Sequence, residues 1–238
     1  MPGLTEYVIA RTALFDGFFI TALKDKTPQI VLLGAGYDSR AYRFANLNSG
    51  SRIYELDAAP TQNRKIKCLK SAHVRIPAEV HFVPIDFINE SLGGTLEKAG
   101  YKNTERTLFI WEGVSYYLDL DSAKTTLDFV SRSSHRDSVI AFDYMVLTNE
   151  ENIHKYYGAS ELMKSMKEHH ANEQLMFSIK DGEARSFLEE NGLRMLEHLD
   201  SEAIEQKFLM DDNGSLIGHM AGNLRFTCAS PMKDDFSK

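Results

Sequence analysis

The feature that most constrains the fold is the stretch QIVLLGAGYDSR at positions 29–40, where an apolar run meets a glycine turn. The apolar run 30–33 predicts a buried parallel strand, and residues 38–40 predict the start of a helix. Gly34 and Gly36 have no Cβ, so backbone N–H groups at this turn can approach a ligand closely. A strand that ends in such a turn and continues into a helix is typical of nucleotide-binding α/β proteins.

A carboxylate follows the next apolar run at the offset that ribose-binding folds use. Residues 52–57 read RIYELD and predict a second strand that ends at Asp57, about twenty residues beyond the glycines. The dinucleotide pattern GxGxxG needs a third glycine where Ser39 stands. The pattern therefore favours a ligand with an adenosine but no pyrophosphate, and S-adenosylmethionine fits that description. A plain strand-to-helix turn without a ligand is the alternative at this point.

Composition limits the class of protein. The chain has 238 residues, a formal net charge of −7 and an apolar fraction of 43%, so we expect one domain with a sizeable core. An acidic chain without basic clusters is a poor candidate for binding duplex nucleic acid. The sequence shows neither a secretory signal nor a membrane span, which predicts a cytoplasmic protein. Cys68 and Cys228 lack metal-type spacing, so we expect no metal site and two buried or inert thiols.

Apolar periodicity predicts strands that alternate with helices behind an N-terminal helical arm at 1–28. The expected strands are 30–33, 52–56, 80–83, 107–111, 138–144, 193–198 and 225–229, and the expected helices are 4–24, 39–45, 61–71, 91–98, 121–130 and 181–190, with Asp121 and Asp181 as the last two N-caps. This alternation predicts a mostly parallel seven-stranded sheet with helices on both faces. Residues 146–179 are polar and helical without a strand signal, which predicts a helical lid insertion. We expect residues 1–238 to form a single domain.

Four motifs, in the right order and spacing, resemble the leucine carboxyl methyltransferase family: LLGAGYDSRAYRF, YELDAAP, PIDF and RTLFIWEGVSYYL. The similarity runs from about Arg11 to the end of the chain, and its most distinctive part is WEG followed by YL. The resemblance implies the Rossmann-like fold of class I methyltransferases. It also implies an O-methyltransferase that depends on S-adenosylmethionine.

The resemblance implies roles for individual residues as well. Arg11 corresponds to the partner of the methionine carboxylate, and its fork geometry suits that task. Asp57 corresponds to the ribose-binding acid, and Glu112 to the acid near the ammonium end of the cofactor. Asp86 and Phe87 correspond to the pair that brackets the adenine. The glycine turn under the methionine and ribose corresponds to Gly34, Ala35 and Gly36.

The acceptor side of the site is less patterned. The candidate acceptor-binding residues are Tyr116, Tyr117, Tyr156, Tyr157, Met163 and Met166. Tyrosine and methionine in the lid would give an adaptable apolar surface, and a packing insert without a substrate role is the alternative. One of the two adjacent tyrosines, together with Trp111, is expected in the core. The histidines of the lid are expected to be solvated, because neighbours such as His169 and His170 diverge on a helix.

Methyl transfer from a sulfonium is an in-line displacement that depends on orientation. A carboxylate acceptor is ionised at neutral pH and needs no general base, so no catalytic residue is assigned. A hydroxyl acceptor needs a base, for which Asp143 and Tyr144 are weak candidates. The expected partner is a small-molecule or peptide methyl acceptor. Only ten residues precede Arg11, so we expect a more open pocket or one completed by a partner chain, and the apolar arm is a candidate homodimer surface.

Two functions of other classes stay open. The first is a regulatory protein that binds S-adenosylmethionine or S-adenosylhomocysteine but transfers nothing. The second is a nicotinamide-dependent oxidoreductase, against which the missing third glycine argues.

Overall fold

The computed structural model describes residues 1–87, 89–169 and 174–232, and eight strands of one sheet form its centre. In chain order the strands are β1 (Gln29–Leu33), β2 (Arg52–Asp57), β3 (Val80–Pro84), β4 (Thr107–Trp111), β5 (Val139–Val146), β6 (Ser178–Ile179), β7 (Leu193–Leu199) and β8 (Leu224–Pro231). The helices are α1 (Leu4–Lys24), α2 (Arg40–Arg43), α3 (Ala59–Ser71), α4 (Leu92–Lys98), α5 (Leu120–Ser133), α6 (Ala159–His169), α7 (Ala184–Glu190) and α8 (Ser201–Phe208). Short 3-10 turns occur at Ala45–Leu47, Ser115–Tyr117 and Ile153–Lys155.

The strand order is β3-β2-β1-β4-β5-β8-β7, and the strands from β1 to β5 run parallel. β8 lies antiparallel between β5 and β7. The chain reverses its direction across the sheet between β1 and β4, and this switch point is where open α/β sheets bind ligands. Leu33 lies opposite Leu56, and Leu32 lies opposite Ile110. The glycine turn after β1, Asp57 at the end of β2 and Glu112 after β4 therefore lie at one edge of the sheet, where the carboxyl ends of these strands meet.

The predicted mostly parallel sheet with helices on both faces is confirmed, but it has eight strands rather than seven. The additional strand, β6, pairs in parallel with Met145 and Val146 at the end of β5. It lies inside 146–179, so the expectation of no strand in that segment is wrong. A strand of two residues is too short to show an apolar–polar alternation in the sequence.

Helix α1 has the predicted bounds and forms part of the core. Its buried side chains include Tyr7, Phe15 and Phe19, and the rings of Tyr7 and Phe15 lie 5.8 and 6.1 Å from the ring of Phe226 in β8. Alternate residues of each central strand pack on this face and on the opposite face, where Trp111 is buried as predicted. Within the described ranges, no helix combines the length and hydropathy that a membrane crossing requires.

Two predicted helix caps are wrong. Asp119, not Asp121, is the N-cap of α5, and its Oδ1 accepts a hydrogen bond from the N–H of Ser122 at 2.7 Å. Helix α7 begins after Glu183 rather than at Asp181. Both errors arise because two acids lie near the start of each helix, and only the backbone geometry decides where the helix begins.

Three further details differ from expectation. Helix α2 is shorter than the predicted 39–45, since a 3-10 turn follows it. Helix α8, which was not predicted, is capped by the side chain of Asp200. Cys228 is buried, and burial raises the pKa of its thiol to about 11. Of the two thiols expected to be buried or inert, Cys228 is buried and Cys68 is exposed.

Candidate functional site

A cleft of about 1070 Å³ opens at the carboxyl ends of β1 and β4. Residues 32–40 line its floor, and Arg11 of α1 lines one wall. Residues 112–114 and Tyr117 line the cleft next to Arg11, and Gln174 and Met176 also border it. Its size is that of a pocket for a small molecule or cofactor.

The glycine turn supports the floor of this cleft. Gly34 and Gly36 have φ angles of +71° and +43°, a region that favours glycine. A Cβ at Gly34 would lie 2.6 Å from Cγ2 of Val114. The turn is anchored to the next strand, because the N–H of Ala35 donates to the carbonyl of Leu56 at 2.8 Å. The turn therefore places the backbone of residues 34–36 at the floor of the cleft.

Asp57 is held against the turn from the end of β2. Its Oδ2 accepts a hydrogen bond from the N–H of Gly36 at 2.5 Å, and its Oδ1 accepts from the N–H of Ala58 at 2.7 Å. The side chain lies beside the cleft rather than among the residues of its lining. Each carboxylate oxygen keeps a second lone pair, so Asp57 can still accept hydrogen bonds from a ligand.

Asp86 and Phe87 lie one strand further out. The N–H of Ile85 donates to the carbonyl of Asp57 at 3.0 Å, which places the following residues at the same edge of the sheet. The carboxylate of Asp86 accepts from the side-chain amide of Asn89 at 2.8 Å, and Phe87 is half-buried against the core of the far face. Both residues lie outside the lining of the cleft, on the side of Asp57.

Glu112 lies between two arginines at the end of β4. Its Oε1 is 3.0 Å from Nε of Arg11, and its Oε2 is 2.6 Å from Nη1 of Arg40. Burial raises the pKa of Glu112, while the two guanidinium groups act in the opposite direction. Arg40 is buried and also forms ion pairs with Asp38 and Asp16. This network fixes one oxygen-rich wall of the cleft.

A second cluster faces Arg11 from behind. Nη1 of Arg11 lies 3.3 Å from the hydroxyl of Tyr7, 3.4 Å from that of Tyr116 and 3.8 Å from Oδ2 of Asp143. Asp143 is fully buried and accepts hydrogen bonds from the hydroxyl of Tyr7 and, at 2.7 Å, from the N–H of Gly113. Burial raises the pKa of Asp143, and the nearby Arg11 partly opposes this shift.

Gly113, the glycine of the WEG motif, has a φ of +70°. A Cβ at this position would lie 2.8 Å from Nη1 of Arg11. The glycine is therefore needed both for its backbone conformation and for the space that the guanidinium occupies. The sequence pattern marked this position without giving the reason.

The two weak candidates for a general base do not border the cleft. Asp143 lies behind Arg11, where a substrate hydroxyl cannot reach it within hydrogen-bonding distance without displacing the guanidinium. Tyr144 points to the opposite face of the sheet, where its hydroxyl is 2.9 Å from Nε2 of His198.

The structure separates the predicted acceptor-binding residues. Tyr117 lines the cleft, and its neighbour Tyr116 is buried, as expected for one of the pair. Tyr156 donates a hydrogen bond to Asp181 at 3.2 Å, and the ring of Tyr157 lies 5.5 Å from that of His219. The remaining lid candidates, which pack against the core on the α1 face, are Met163 and Met166.

Two residues that border the cleft are not among the candidates that the sequence suggested. Gln174 and Met176 line the cleft, and the N–H of Met176 donates to the carbonyl of Tyr116 at 2.8 Å. No periodicity marks these two positions, because the segment is irregular. His154 is exposed as expected, whereas His170 lies outside the described residues. In the part of the chain that the structure describes, no cluster of three His, Cys, Asp or Glu side chains could hold a metal ion.

Comparisons with known proteins give one family match and several relatives. Residues 1–131 match the family model of leucine carboxyl methyltransferase. The candidate S-adenosyl-L-methionine-dependent methyltransferase YktD of Bacillus subtilis is 31% identical over 190 residues, which are 79% of this chain and 61% of YktD. A protein of Mycobacterium tuberculosis with the same description is 32% identical over 152 residues, 63% of this chain and 48% of that protein. This chain thus spans only about half to three-fifths of the length of these curated relatives.

Solved structures share the fold at low sequence identity. A candidate methyltransferase from Thermobifida fusca superposes with a TM-score of 0.68 at 11% identity, with 98% of this chain and 84% of that chain covered. Magnesium protoporphyrin IX methyltransferase from Synechocystis, solved with bound S-adenosylhomocysteine, gives a TM-score of 0.56 at 12% identity, with 94% and 84% covered. At these identities the superpositions establish the architecture alone.

Proposed function

The chain belongs to the leucine carboxyl methyltransferase family, and from that premise we propose that it catalyses methyl transfer from S-adenosyl-L-methionine to an oxygen atom of a small molecule or peptide. When bound, this cofactor supplies an activated methyl group on its sulfonium sulfur. The residues of the cleft have to bind the two substrates, orient them for an in-line displacement and keep water away from the reacting atoms.

One observation carries the proposal: a guanidinium and a carboxylate lie together beside the glycine turn. Arg11 and Glu112 are 3.0 Å apart at the wall of the cleft. A guanidinium is suited to hold a carboxylate, and a buried carboxylate is suited to hold an ammonium group. The pair therefore complements the two charged ends of an amino-acid tail such as that of methionine.

The rest of the edge suits the nucleoside part of the same ligand. Asp57 is fixed by backbone donors and retains acceptor capacity for ribose hydroxyls. Asp86 and Phe87 follow on the next strand and are proposed to bracket the adenine. Along the sheet edge, Glu112 with its partner Arg11 comes first, then the glycine turn, Asp57 and Asp86. This order supports the proposed order of cofactor groups from the amino-acid tail to the base.

The lining of the cleft favours an acceptor that is already nucleophilic. No histidine is among the described lining residues, and Asp143 is shielded by Arg11. A carboxylate acceptor fits this arrangement because it needs no general base at neutral pH. Tyr117, Gln174 and Met176 are proposed to contact the acceptor through one aromatic, one amide and one apolar side chain.

Binding of the demethylated product, S-adenosylhomocysteine, tests the cofactor site. We expect Arg11→Ala and Asp57→Ala each to weaken binding about 10- to 150-fold, because each removes charge-assisted hydrogen bonds of roughly 1.5–3 kcal/mol. Isothermal titration calorimetry measures the change. Arg132→Ala is the matched control, since Arg132 lies exposed on α5 with its partner Asp128. Wild-type affinity in both cleft variants would contradict the assignment.

A transfer assay separates this function from a regulatory protein that only binds the cofactor. Purified protein is incubated with methyl-labelled S-adenosylmethionine and a small-molecule and peptide extract, and the products are then treated with mild alkali. Release of labelled methanol identifies a methyl ester and hence a carboxylate acceptor. Alkali-stable label excludes a methyl ester and is the result expected for a hydroxyl acceptor, in which case mass spectrometry of the product locates the methyl group. No transfer despite tight binding supports the regulatory alternative.

A further inference from the structure

We propose that Tyr7 and Asp143 are positioning residues, which hold the guanidinium of Arg11 in the orientation that the ligand requires. The inference rests on the proposed function, because it assigns the support of the proposed carboxylate anchor. Neither residue is among those that line the cleft. Both act on the ligand through Arg11.

The three nitrogens of Arg11 have different surroundings. Nε faces Glu112 at 3.0 Å. Nη1 faces the hydroxyls of Tyr7 and Tyr116 and lies 3.8 Å from Asp143. Nη2 has no hydrogen bond to any residue that the structure describes. Nε is ion-paired with Glu112 but makes no hydrogen bond to it. Because Nε and Nη1 both face protein groups, Nη2 is the nitrogen left for an anionic ligand in the cleft.

Tyr7 links the guanidinium to the buried carboxylate. Its hydroxyl donates to Asp143 and lies within accepting distance of Nη1 of Arg11. Tyr7 and Arg11 are four residues apart on α1, so they lie on the same face of the helix. The carbon at the centre of the guanidinium also lies 5.0 Å from the centroid of the Tyr7 ring. Removing the hydroxyl would therefore cut the link to Asp143 while leaving the ring in place under Arg11.

Asp143 connects this link to the residue that follows Glu112 at the end of β4. Its second oxygen accepts from the N–H of Gly113, so α1, β5 and the residue that follows Glu112 are tied to one carboxylate. Two hydrogen-bond donors hold this fully buried carboxylate in one orientation. Asp143 thereby fixes the distance between the helix that carries Arg11 and the strand end that carries Glu112.

A double-mutant cycle with S-adenosylhomocysteine as the probe tests the inference. We expect Tyr7→Phe to weaken binding about 3- to 10-fold, which corresponds to the loss of one hydrogen bond. The hydrogen bond lost is one that supports Arg11 rather than one to the ligand itself. In an Arg11→Ala background the same substitution is expected to change the affinity less than about twofold, because its only route to the ligand is gone. Asp143→Asn, which keeps an acceptor for Gly113, is expected to behave like Tyr7→Phe.

Tyr42→Phe is the matched control, because Tyr42 also donates to a buried carboxylate, Glu55, at 3.0 Å. Neither of these two residues lines the cleft. We expect Tyr42→Phe to lower the thermal unfolding midpoint about as much as Tyr7→Phe does, but to leave the affinity for S-adenosylhomocysteine unchanged. This comparison separates a loss of stability from a loss of positioning.

The outcomes distinguish the two proposals. If the wild type binds and Arg11→Ala weakens binding, but Tyr7→Phe binds like the wild type, the positioning role is wrong and the proposed function stands. An equal effect of Tyr7→Phe in both backgrounds also overturns the positioning role. If the wild type does not bind S-adenosylhomocysteine, the proposed function fails and the inference fails with it. If Asp143→Asn does not fold, Tyr7→Phe alone tests the positioning role.

Discussion

Two regions of the molecule contain the same three kinds of group, a tyrosine, a buried carboxylate and a cation. In the open triad, Tyr7 donates to Asp143, and Arg11 lies beside both. In the closed triad, the residues are Tyr42, Glu55 and Lys65. Tyr42 donates to Glu55 at 3.0 Å, and Nζ of Lys65 lies 2.7 Å from Oε2 of Glu55. Each cation also lies over the ring of its tyrosine, at 5.0 Å for Arg11 and 5.5 Å for Lys65.

The two triads differ in whether the cation keeps a hydrogen-bond donor that can reach a ligand. The side chain of Lys65 is 4% exposed and faces its carboxylate, whereas that of Arg11 is 21% exposed and borders the cleft. A lysine is a point charge that Glu55 can neutralise alone, but an arginine has several donors in a fixed plane. A buried tyrosine–carboxylate–cation cluster is therefore no sign of a site by itself. Its exposure to a cleft, with an unused donor, is the informative feature.

The largest expected effect separates the triads by stability. Lys65→Met would leave Glu55 buried without its cation, which typically costs about 3–5 kcal/mol. We expect the free energy of unfolding, measured by urea denaturation, to fall by that amount. The affinity of the folded protein for S-adenosylhomocysteine should not change. A loss of affinity in this variant would show that the closed triad also supports the cleft.

A smaller effect is expected from Gly113→Ala, which strains the open triad. A left-handed backbone costs roughly 1–2 kcal/mol for a residue with a side chain, and the added Cβ would lie 2.8 Å from Nη1 of Arg11. We therefore expect both the stability and the affinity for S-adenosylhomocysteine to fall. Gly182→Ala is the matched control, because Gly182 has a φ of +80° and no atom within 4 Å of the added Cβ. It should lose stability without losing affinity.

The smallest effect is a pH dependence that the two triads should share. Burial raises the pKa of Asp143 and of Glu55 above their ordinary values of 3.8 and 4.5, and the adjacent cations partly oppose the shifts. Above those ordinary values, the folded protein holds more protons than the unfolded chain, so the stability contributed by each group falls as the pH rises. As the pH rises, we therefore expect the unfolding free energy of the wild type to fall relative to that of Asp143→Asn and relative to that of Glu55→Gln. Urea denaturation from about pH 4 upward measures these free energies. A wild type that gains stability over the variants as the pH rises would contradict the prediction.

Local sequence patterns predicted much of the fold, and the family motifs pointed to the Arg11–Glu112 wall of the cleft. The bounds of α1, the strand before the glycine turn and the parallel sheet follow from apolar periodicity and from glycine, which are local properties. The family resemblance then selected Arg11 and Glu112, and the structure brings these two together beside the turn. The roles assigned to Asp57, Asp86 and Phe87 remain predictions.

The rest of the site depends on contacts that no local pattern contains. Tyr7 and Asp143 are 136 residues apart, and the sequence suggested Asp143 as a base rather than as a support for Arg11. The lid tyrosines looked suitable by composition, but Tyr156 and Tyr157 pack elsewhere, and Met176 takes a place beside the cleft. Which irregular residue reaches a cleft is decided by tertiary packing, and a single sequence gives little information about it.

The packing of α1 against β8 has a consequence for the order of folding. The N–H of Ala221 donates to the carbonyl of Gly3 at 3.0 Å, and Phe226 contacts two rings of α1. Contacts between segments so far apart in the chain form slowly, because a long loop has to close before they are made. We therefore expect Arg11, which α1 carries, to reach its place late in folding. A ligand held by Arg11 would then bind the folded chain in preference to partly folded chains, and would shift the equilibrium away from them.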